Sequence, residues 1–248
     1  MFTDSHCHLI KEYYENISRE INEALACNVN RYINIGCDTA SMKEVIKLVN
    51  IHKNMYGAIG IHPNEITDHI EEDYSYLEKN IKKEKIIAIG EIGLDYHYEH
   101  NKELQKKWFE KQLFLAEREN LPVIIHSRDA TMDTLNILKK YKVKGIIHSF
   151  SGSYETAMEY IKLGFILGIN GVVSFSNSKL SSVIDKLPLE YIVLETDAPY
   201  LTPEPFRGKK NSPKYIKEIA QFICKIKGIT PKQLAKITNK NLSRVFDF

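Results

Sequence analysis

Residues 86–91 read Ile-Ile-Ala-Ile-Gly-Glu, an apolar run that ends in a carboxylate. A continuous apolar run is typical of a parallel β-strand, because helices cover both faces of a parallel sheet. A carboxylate at the inward end of such a strand is costly to bury unless a cation or a proton donor lies beside it. The run therefore predicts a buried strand that carries Glu91 into a functional site, with a structural ion pair as the alternative.

Similar runs alternate with amphipathic segments along all 248 residues. Strands are predicted at about 2–8, 31–37, 56–62, 86–92, 121–126, 144–149, 164–173 and 191–196. Helices are predicted at about 11–27, 40–53, 71–82, 102–119, 129–141, 153–163, 177–186, 213–227 and 231–245. Eight strands separated by helices is the count of a (β/α)8, or TIM, barrel, and this length suits one domain spanning residues 1–248.

The composition excludes several classes of protein. The formal net charge is only +2, so any contact with nucleic acid has to be local rather than spread over a basic surface. The four cysteines lack CxxC spacing and are too few for a disulfide scaffold, which favours a reducing compartment. No basic and apolar leader precedes Phe2, and no apolar run approaches the roughly 18 residues of a membrane span. A cytoplasmic protein without membrane contact is expected.

Six potential metal ligands lie at or just after the ends of predicted strands. A TIM barrel keeps its reactive groups at the carboxyl ends of its strands, so these side chains should converge. His6 and His8 point to the same face, because side-chain direction repeats every two residues in a strand. Taken singly, each histidine could be a surface residue or a satisfied core residue. The set comprises His6, His8, Glu91, His126, His148 and Asp197.

The residue types suggest how the ligands divide. Glu91 has two oxygens and can bridge a first metal held by His6 and His8 and a second held by His126 and His148. Asp197 is a candidate ligand of the first metal and the best-placed base for an attacking water. Two divalent cations carry more charge than two carboxylates remove. Such a centre suits an anionic substrate such as a phosphate ester.

The segments around these ligands resemble the TatD family of metal-dependent deoxyribonucleases, which are TIM barrels of the amidohydrolase type. The resemblance covers the whole chain in order. Departures are small, such as Ser149 where cysteine is frequent in the family. The matching stretches are Asp4-Ser-His-Cys-His8, Gly60-Ile-His-Pro63, Gly90-Glu-Ile-Gly-Leu-Asp-Tyr96, His126-Ser-Arg-Asp129, His148-Ser-Phe-Ser-Gly152, Glu195-Thr-Asp-Ala-Pro-Tyr-Leu-Thr-Pro203, Arg207-Gly-Lys-Lys-Asn-Ser-Pro213 and Thr238-Asn-Lys-Asn-Leu-Ser-Arg-Val-Phe246.

The resemblance implies a site with two divalent metal ions. Glu91 is shared between them, with His6, His8 and Asp197 on one ion and His126 and His148 on the other. It also implies DNA as the substrate, commonly degraded from 3′ to 5′ on single strands with Mg²⁺ or Mn²⁺. Four imidazole ligands would instead suit Zn²⁺ or Mn²⁺, so the identity of the metal is left open. No obligate protein partner is implied.

Four further residues are predicted to bind substrate. His62 resembles the family's substrate-facing histidine in Gly-Ile-His-Pro. Arg128 and Arg207 can each bind phosphate through two hydrogen bonds, although Arg128 could instead orient a carboxylate such as Asp95. Tyr96 can stack on a terminal base, as can Tyr200 and Phe206, but aromatic anchors of loops are at least as common.

Two rival functions stay open. The first is hydrolysis of another ester or amide on the same scaffold, such as the ester of a D-aminoacyl-tRNA. A cyclic-amide hydrolase is disfavoured, because many such relatives bridge their metals with a carboxylated lysine where this chain has Glu91. The second is a metal-binding protein without turnover, against which the presence of all six ligands argues.

Overall fold

The computed structural model describes residues 1–66, 69–98 and 100–248. Its eight strands pair in parallel, each with the next along the chain, which confirms the predicted TIM barrel. The segment that follows the last strand meets the first strand through a parallel bridge between Cys7 and Ala198. The strands are β1 (Phe2–Cys7), β2 (Val29–Gly36), β3 (Met55–Ile59), β4 (Ile86–Asp95), β5 (Val123–Arg128), β6 (Gly145–Ile147), β7 (Phe165–Ile169) and β8 (Ile192–Leu194).

Within the described residues the helices follow the predicted order. They are α1 (Ile17–Ala26), α2 (Thr39–Ile51), α3 (Ile70–Asn80), α4 (Lys102–Glu119), α5 (Thr131–Leu138), α6 (Tyr154–Lys162), α7 (Leu180–Lys186), α8 (Ile216–Lys227) and α9 (Pro231–Leu242). The side chains that begin them include Asp38, which caps α2, and Thr230, which caps α9. Each accepts a hydrogen bond from a backbone N–H that the first helical turn leaves unpaired. None of the helices in these ranges is both long and apolar enough to span a membrane.

Four strands, β3, β6, β7 and β8, end at least two residues earlier than the sequence predicts. The prediction for β7 ran to residue 173, but β7 ends at Ile169, because the Asn170 side chain accepts a hydrogen bond from Val172 N and starts a 3-10 turn. The prediction for β8 ran to residue 196, but β8 ends at Leu194. Strand β4 instead continues three residues beyond its predicted end, to Asp95. Because β8 ends at Leu194, the chain after it can turn toward β1.

The apolar core has two main layers. One lies between the strands and the surrounding helices, and the other is separate from it. That layer takes side chains from each of β2 to β8, so it can only fill the interior of the barrel. Residues that follow or end α9 close it from below, and Phe246 is only 1% exposed. The layer consists of Ile33, Ile35, Ala58, Ala88, Ile124, Ile146, Ile166, Val193, Leu242, Val245 and Phe246. The polar residues at the carboxyl ends of the strands thus lie above an apolar floor.

Candidate metal centre

All six predicted ligands lie at the carboxyl end of the barrel. His6, Glu91 and His126 belong to β1, β4 and β5. His8, His148 and Asp197 follow β1, β6 and β8 within a few residues. Since parallel strands end on one face, residues far apart in sequence meet there.

His6 and His8 direct their Nε2 atoms to the same point, as strand alternation predicts. The two nitrogens are 3.2 Å apart. Oδ1 of Asp197 lies 3.6 Å from Nε2 of His6 and 3.5 Å from Nε2 of His8. These two nitrogens and one oxygen form a compact set of three donors.

Glu91 occupies the middle of the centre, with different imidazoles at its two oxygens. Oε2 lies 3.3 Å from Nε2 of His6 and 4.0 Å from Nε2 of His8. Oε1 lies 2.7 Å from Nδ1 of His126 and 3.6 Å from Nε2 of His148. Burial raises the pKa of Glu91, but the surrounding imidazoles outweigh burial and hold the pKa well below its usual range. Glu91 is therefore a buried, ionised carboxylate.

Each of the other two predicted histidine ligands, His126 and His148, has a second carboxylate beside the ring nitrogen that is remote from Glu91. Oδ2 of Asp95 is 3.2 Å from Nε2 of His126, and Oε1 of Glu195 is 3.0 Å from Nδ1 of His148. Burial lowers the pKa of both imidazoles, but the carboxylates outweigh it and raise the pKa to about 9 for His126 and about 10 for His148. A carboxylate behind a histidine fixes its ring and leaves the other nitrogen for a metal.

Glu195 was not predicted as a site residue. It is fully buried, and its Oε1 accepts a hydrogen bond from the backbone N–H of Ser149. Its Oε2 is a buried oxygen that has no hydrogen-bond partner among the described residues. The signal that could have identified it is the one that identified Glu91, a carboxylate at the end of an apolar strand run.

The backbone around Asp197 is set by Asp4. Asp4 accepts hydrogen bonds from the Thr196 backbone N–H at 2.9 Å and from the Thr196 hydroxyl at 2.6 Å. Asp197 itself has a left-handed φ of 58°, and its backbone N–H donates to the His6 carbonyl. These bonds fasten the end of β8 to β1 and hold Asp197 beside His6 and His8.

Two buried glutamines of α4 hold the backbone near the site. Gln112 hydrogen-bonds both the N–H and the carbonyl of Ile61, the residue before His62. Gln105 makes the same pair of bonds with Asp95. Buried side-chain amides that satisfy both backbone groups of a residue fix its position.

The donor set fits divalent cations. It offers imidazole nitrogens and carboxylate oxygens, which borderline ions such as Zn²⁺ and Mn²⁺ accept. His148 lies between the two predicted ligand sets, since its ring stacks on His6 at 3.6 Å between centroids and its Nε2 is 3.7 Å from Oδ1 of Asp197. Among the described residues, the clusters of donor atoms within 4.8 Å of one another are His6–Glu91–His148, His6–His8–Asp197 and His62–Glu91–His126.

Of the predicted substrate-binding residues, His62 lies in the centre, with Nε2 3.7 Å from Oε1 of Glu91. Arg128 and Arg207 are exposed, and their guanidinium groups lie over the rings of Tyr98 and Phe175. The Tyr96 hydroxyl donates to Asp133 at 2.7 Å, and Lys102 Nζ lies 4.5 Å from the centroid of the same ring. These contacts favour the loop-anchor interpretation of Tyr96 over base stacking.

Tyr200 is more open than Tyr96, with half of its surface exposed. Its ring centroid is 6.3 Å from that of His8, and its hydroxyl donates to the Tyr13 hydroxyl. A cavity of about 340 Å³ opens beside His148. Its lining includes Ser127, Arg128, Thr131, Ser149 and Ser151.

Comparisons with known proteins agree with this geometry. The family described as TatD related DNase matches residues 3–247. The chain is 41% identical to an uncharacterized metal-dependent hydrolase, YabD, of Bacillus subtilis, over 99% of both chains. It is 34% identical to the similarly described YcfH of Escherichia coli K12, over 98% of this chain and 94% of YcfH. The crystal structure of the TatD homologue YjjV of Escherichia coli superposes with a TM-score of 0.95 at 29% identity, covering 100% of this chain and 98% of YjjV.

Proposed function

The chain belongs to the TatD related DNase family and is a metal-dependent hydrolase, and from this premise we propose that it hydrolyses phosphodiester bonds of DNA as a 3′-to-5′ exonuclease. DNA as substrate is supported by the family match, and the direction by the sequence resemblance described above. Two divalent ions are part of the proposal.

The observation that carries the proposal is the position of Glu91 between two groups of imidazoles. One oxygen faces His6 and His8, and the other faces His126 and His148. A carboxylate placed in this way can be shared by two ions. Such ions, when bound, lower the pKa of water and stabilise charge on the attacking and leaving oxygens of a phosphodiester.

Asp197 is the carboxylate in the centre best suited to accept a proton from water. Its side chain is 13% exposed, compared with 4% for Glu91, 2% for Asp95 and 0% for Glu195. Burial raises the pKa of Asp197, but His148, His8 and His6 outweigh it and lower the pKa, so the group is ionised. An ionised carboxylate that water can reach is a candidate general base.

The surroundings of the centre suit an anionic group. Five imidazoles surround Glu91 and Asp197. The cavity beside His148, at about 340 Å³, is at the small end of the roughly 300–1,000 Å³ range of ligand pockets. Its hydroxyl groups and Arg128 can bind phosphate and sugar oxygens.

The experiment uses metal-stripped protein with single-stranded DNA labelled at the 3′ or the 5′ end. Mg²⁺, Mn²⁺ and Zn²⁺ are added separately. Glu91→Ala is compared with wild type and with Glu84→Ala, a matched control because Glu84 is exposed just before the opposite end of β4. We expect metal-dependent release of mononucleotides from the 3′ end by wild type and Glu84→Ala, and none by Glu91→Ala.

Two results would contradict the proposal. If no DNA is cleaved with any of the three metals, the substrate is wrong, and an aminoacyl-tRNA ester becomes the next substrate to assay. If Glu91→Ala cleaves as fast as Glu84→Ala, Glu91 does not have the shared role.

A further inference from the structure

Ser149 follows the metal-centre residue His148 and has an uncommon backbone conformation. Its φ is 50°, in the left-handed region that residues other than glycine rarely adopt. Its backbone N–H donates to Oε1 of Glu195 at 2.6 Å, and the same oxygen lies 3.0 Å from Nδ1 of His148. Glu195 therefore contacts both His148 and the residue after it, so Ser149 has a fixed place beside the centre.

The Ser149 hydroxyl is the acceptor in its hydrogen bond with Asn170, which lies just after β7. Oδ1 of Asn170 accepts a hydrogen bond from the backbone N–H of Val172 at 3.1 Å. That bond identifies the other atom of the amide as Nδ2, which lies 2.8 Å from Oγ of Ser149. An amide nitrogen can only donate, so Oγ accepts, and the hydroxyl hydrogen of Ser149 points elsewhere.

The hydroxyl hydrogen of Ser149 is not used within the described part of the chain. Among the described residues, Asn170 is the only hydrogen-bond partner of Ser149 Oγ. Ser149 lines the cavity of about 340 Å³ beside His148, whereas Asn170 is fully buried and does not line it. The hydroxyl of Ser149 can therefore donate to a ligand in the cavity.

Two neighbours of Ser149 in the cavity indicate what kind of ligand this is. The hydroxyl of Ser127 is already engaged, because it lies 3.0 Å from that of Thr134 and 3.5 Å from that of Tyr160. The exposed Arg128 lines the same cavity and adds a positive charge. A hydroxyl donor and a guanidinium group together match an anionic oxygen, which accepts from both.

We propose that the Ser149 hydroxyl donates a hydrogen bond to a phosphoryl oxygen of the substrate in this cavity, and that Asn170 is a positioning residue that orients the hydroxyl. Identifying the acceptor as a phosphoryl oxygen rests on the proposed function. Cysteine, which is frequent at this position in the family, is a weak donor, so the serine adds a contact. Loss of a hydrogen bond to a charged group lowers affinity by about 10- to 100-fold.

Phosphate binding tests the donor without any cleavage. Inorganic phosphate, deoxyadenosine monophosphate and deoxyadenosine are titrated by calorimetry into zinc-loaded wild type, Ser149→Ala and Ser149→Cys. Both variants keep the backbone N–H that bonds Glu195, so the number of bound zinc ions should be unchanged. Both should bind the two phosphates at least about 10-fold more weakly. Ser182→Ala is the matched control, since the exposed Ser182 hydroxyl donates to the Lys179 carbonyl.

Three results would overturn the donor role. The first is that wild type binds neither phosphate. The second is that Ser149→Ala binds both phosphates as tightly as Ser182→Ala does, which would show that the hydroxyl does not contact the anion. The third is an equal loss for deoxyadenosine, which has no phosphate, because the acceptor would then be a sugar oxygen.

Asn170→Leu tests the positioning role, because leucine is similar in size and removes the amide that orients the hydroxyl. Phosphate affinity should fall in this variant. Adding Ser149→Ala to Asn170→Leu should then cost much less affinity than Ser149→Ala costs alone. Zinc titration of each variant checks that the metal centre is intact. Additive losses of phosphate affinity would show that Asn170 does not act through Ser149.

Turnover connects the donor to the proposed function. Phosphoryl oxygens are charged both in the bound substrate and in the transition state, so the contact should affect KM and leave kcat nearly unchanged. Ser149→Ala should raise KM for single-stranded DNA by about 10-fold. An unchanged KM would refute the role in substrate binding. If wild type cleaves no DNA, the proposed function fails, but the phosphate titrations still decide whether Ser149 donates to an anion.

Discussion

A Cβ atom on Gly168 would lie 2.1 Å from Oε2 of Glu195. Gly168 lies in β7, and Glu195 directly follows the neighbouring strand β8. Because Gly168 has no side chain, the carboxylate of Glu195 fits beside it. Glu195 in turn lies 3.0 Å from His148. The space beside His148 thus depends on a glycine in β7, which contributes no group to the centre.

Gly168→Ala should weaken metal binding, because the added methyl group displaces Glu195 and releases the His148 ring. We expect a loss of about 10–100-fold in Zn²⁺ affinity, the usual effect of disturbing a residue that supports a ligand. Calorimetric titration measures it. Glu195→Ala should remove the clash, so the double variant should bind metal no worse than Glu195→Ala alone. Additive losses in the double variant would show that Gly168 acts elsewhere.

Asp4→Ala should destabilise the protein by about 3–5 kcal/mol, since it leaves buried N–H and O–H donors of Thr196 without their acceptor. Thr196→Val removes one of these bonds together with the hydrogen bond from the Ala198 N–H to the Thr196 hydroxyl, and it should cost about 1–3 kcal/mol. Urea unfolding monitored by tryptophan fluorescence gives both values. A smaller loss for Asp4→Ala than for Thr196→Val would contradict this account of the junction between β8 and β1.

Removing metal should lower the melting temperature, because the ligands converge only in the folded barrel and binding to the folded state alone stabilises it. At a free metal concentration 100 times Kd the stabilisation is about 2.7 kcal/mol. Scanning calorimetry with EDTA and with added Zn²⁺ or Mn²⁺ measures the shift. Glu84→Ala should keep the shift and Glu91→Ala should lose most of it. A full shift in Glu91→Ala would place the stabilising ions outside this centre.

Phe246→Ala should cost about 3–5 kcal/mol, because the ring fills the floor of the barrel and the cavity left behind cannot collapse fully. Phe248 is the matched control. It is 37% exposed and lies against Arg31 and Tyr56, so Phe248→Ala should cost at most about 1 kcal/mol. Urea unfolding compares the two. Equal losses would mean that residue 246 does not close the barrel.

The barrel could be predicted from the sequence, because eight apolar runs alternate with amphipathic segments. The closeness of His6 and His8 could be predicted as well, because side-chain direction in a strand repeats every two residues. The orientation of the imidazoles could not. It depends on Asp95, Glu195 and Asn64, which come from different strands or loops, and the sequence does not show which histidine each of them contacts. The length of β8 was missed for a similar reason, since Thr196 leaves the strand to bond Asp4, 192 residues away.

The interpretation of Tyr96 shows the limit of reasoning from residue type. An aromatic residue near the rim suggests base stacking, but the hydroxyl of Tyr96 donates to Asp133. Whether such a ring faces ligand or anchors a loop is decided by its neighbours in the fold. The exposure of Tyr200 could be recognised only once its position beside His8 was known.

The closure of β8 onto β1 has a consequence for when this protein can acquire metal. His6 and Asp197 lie far apart in the sequence, and the backbone bond between them joins the first strand to the segment after the last. During synthesis, the early histidines leave the ribosome long before their carboxylate partner. The complete ligand set therefore exists only after all eight strands have been made, so full loading cannot precede the synthesis of β8 and Asp197.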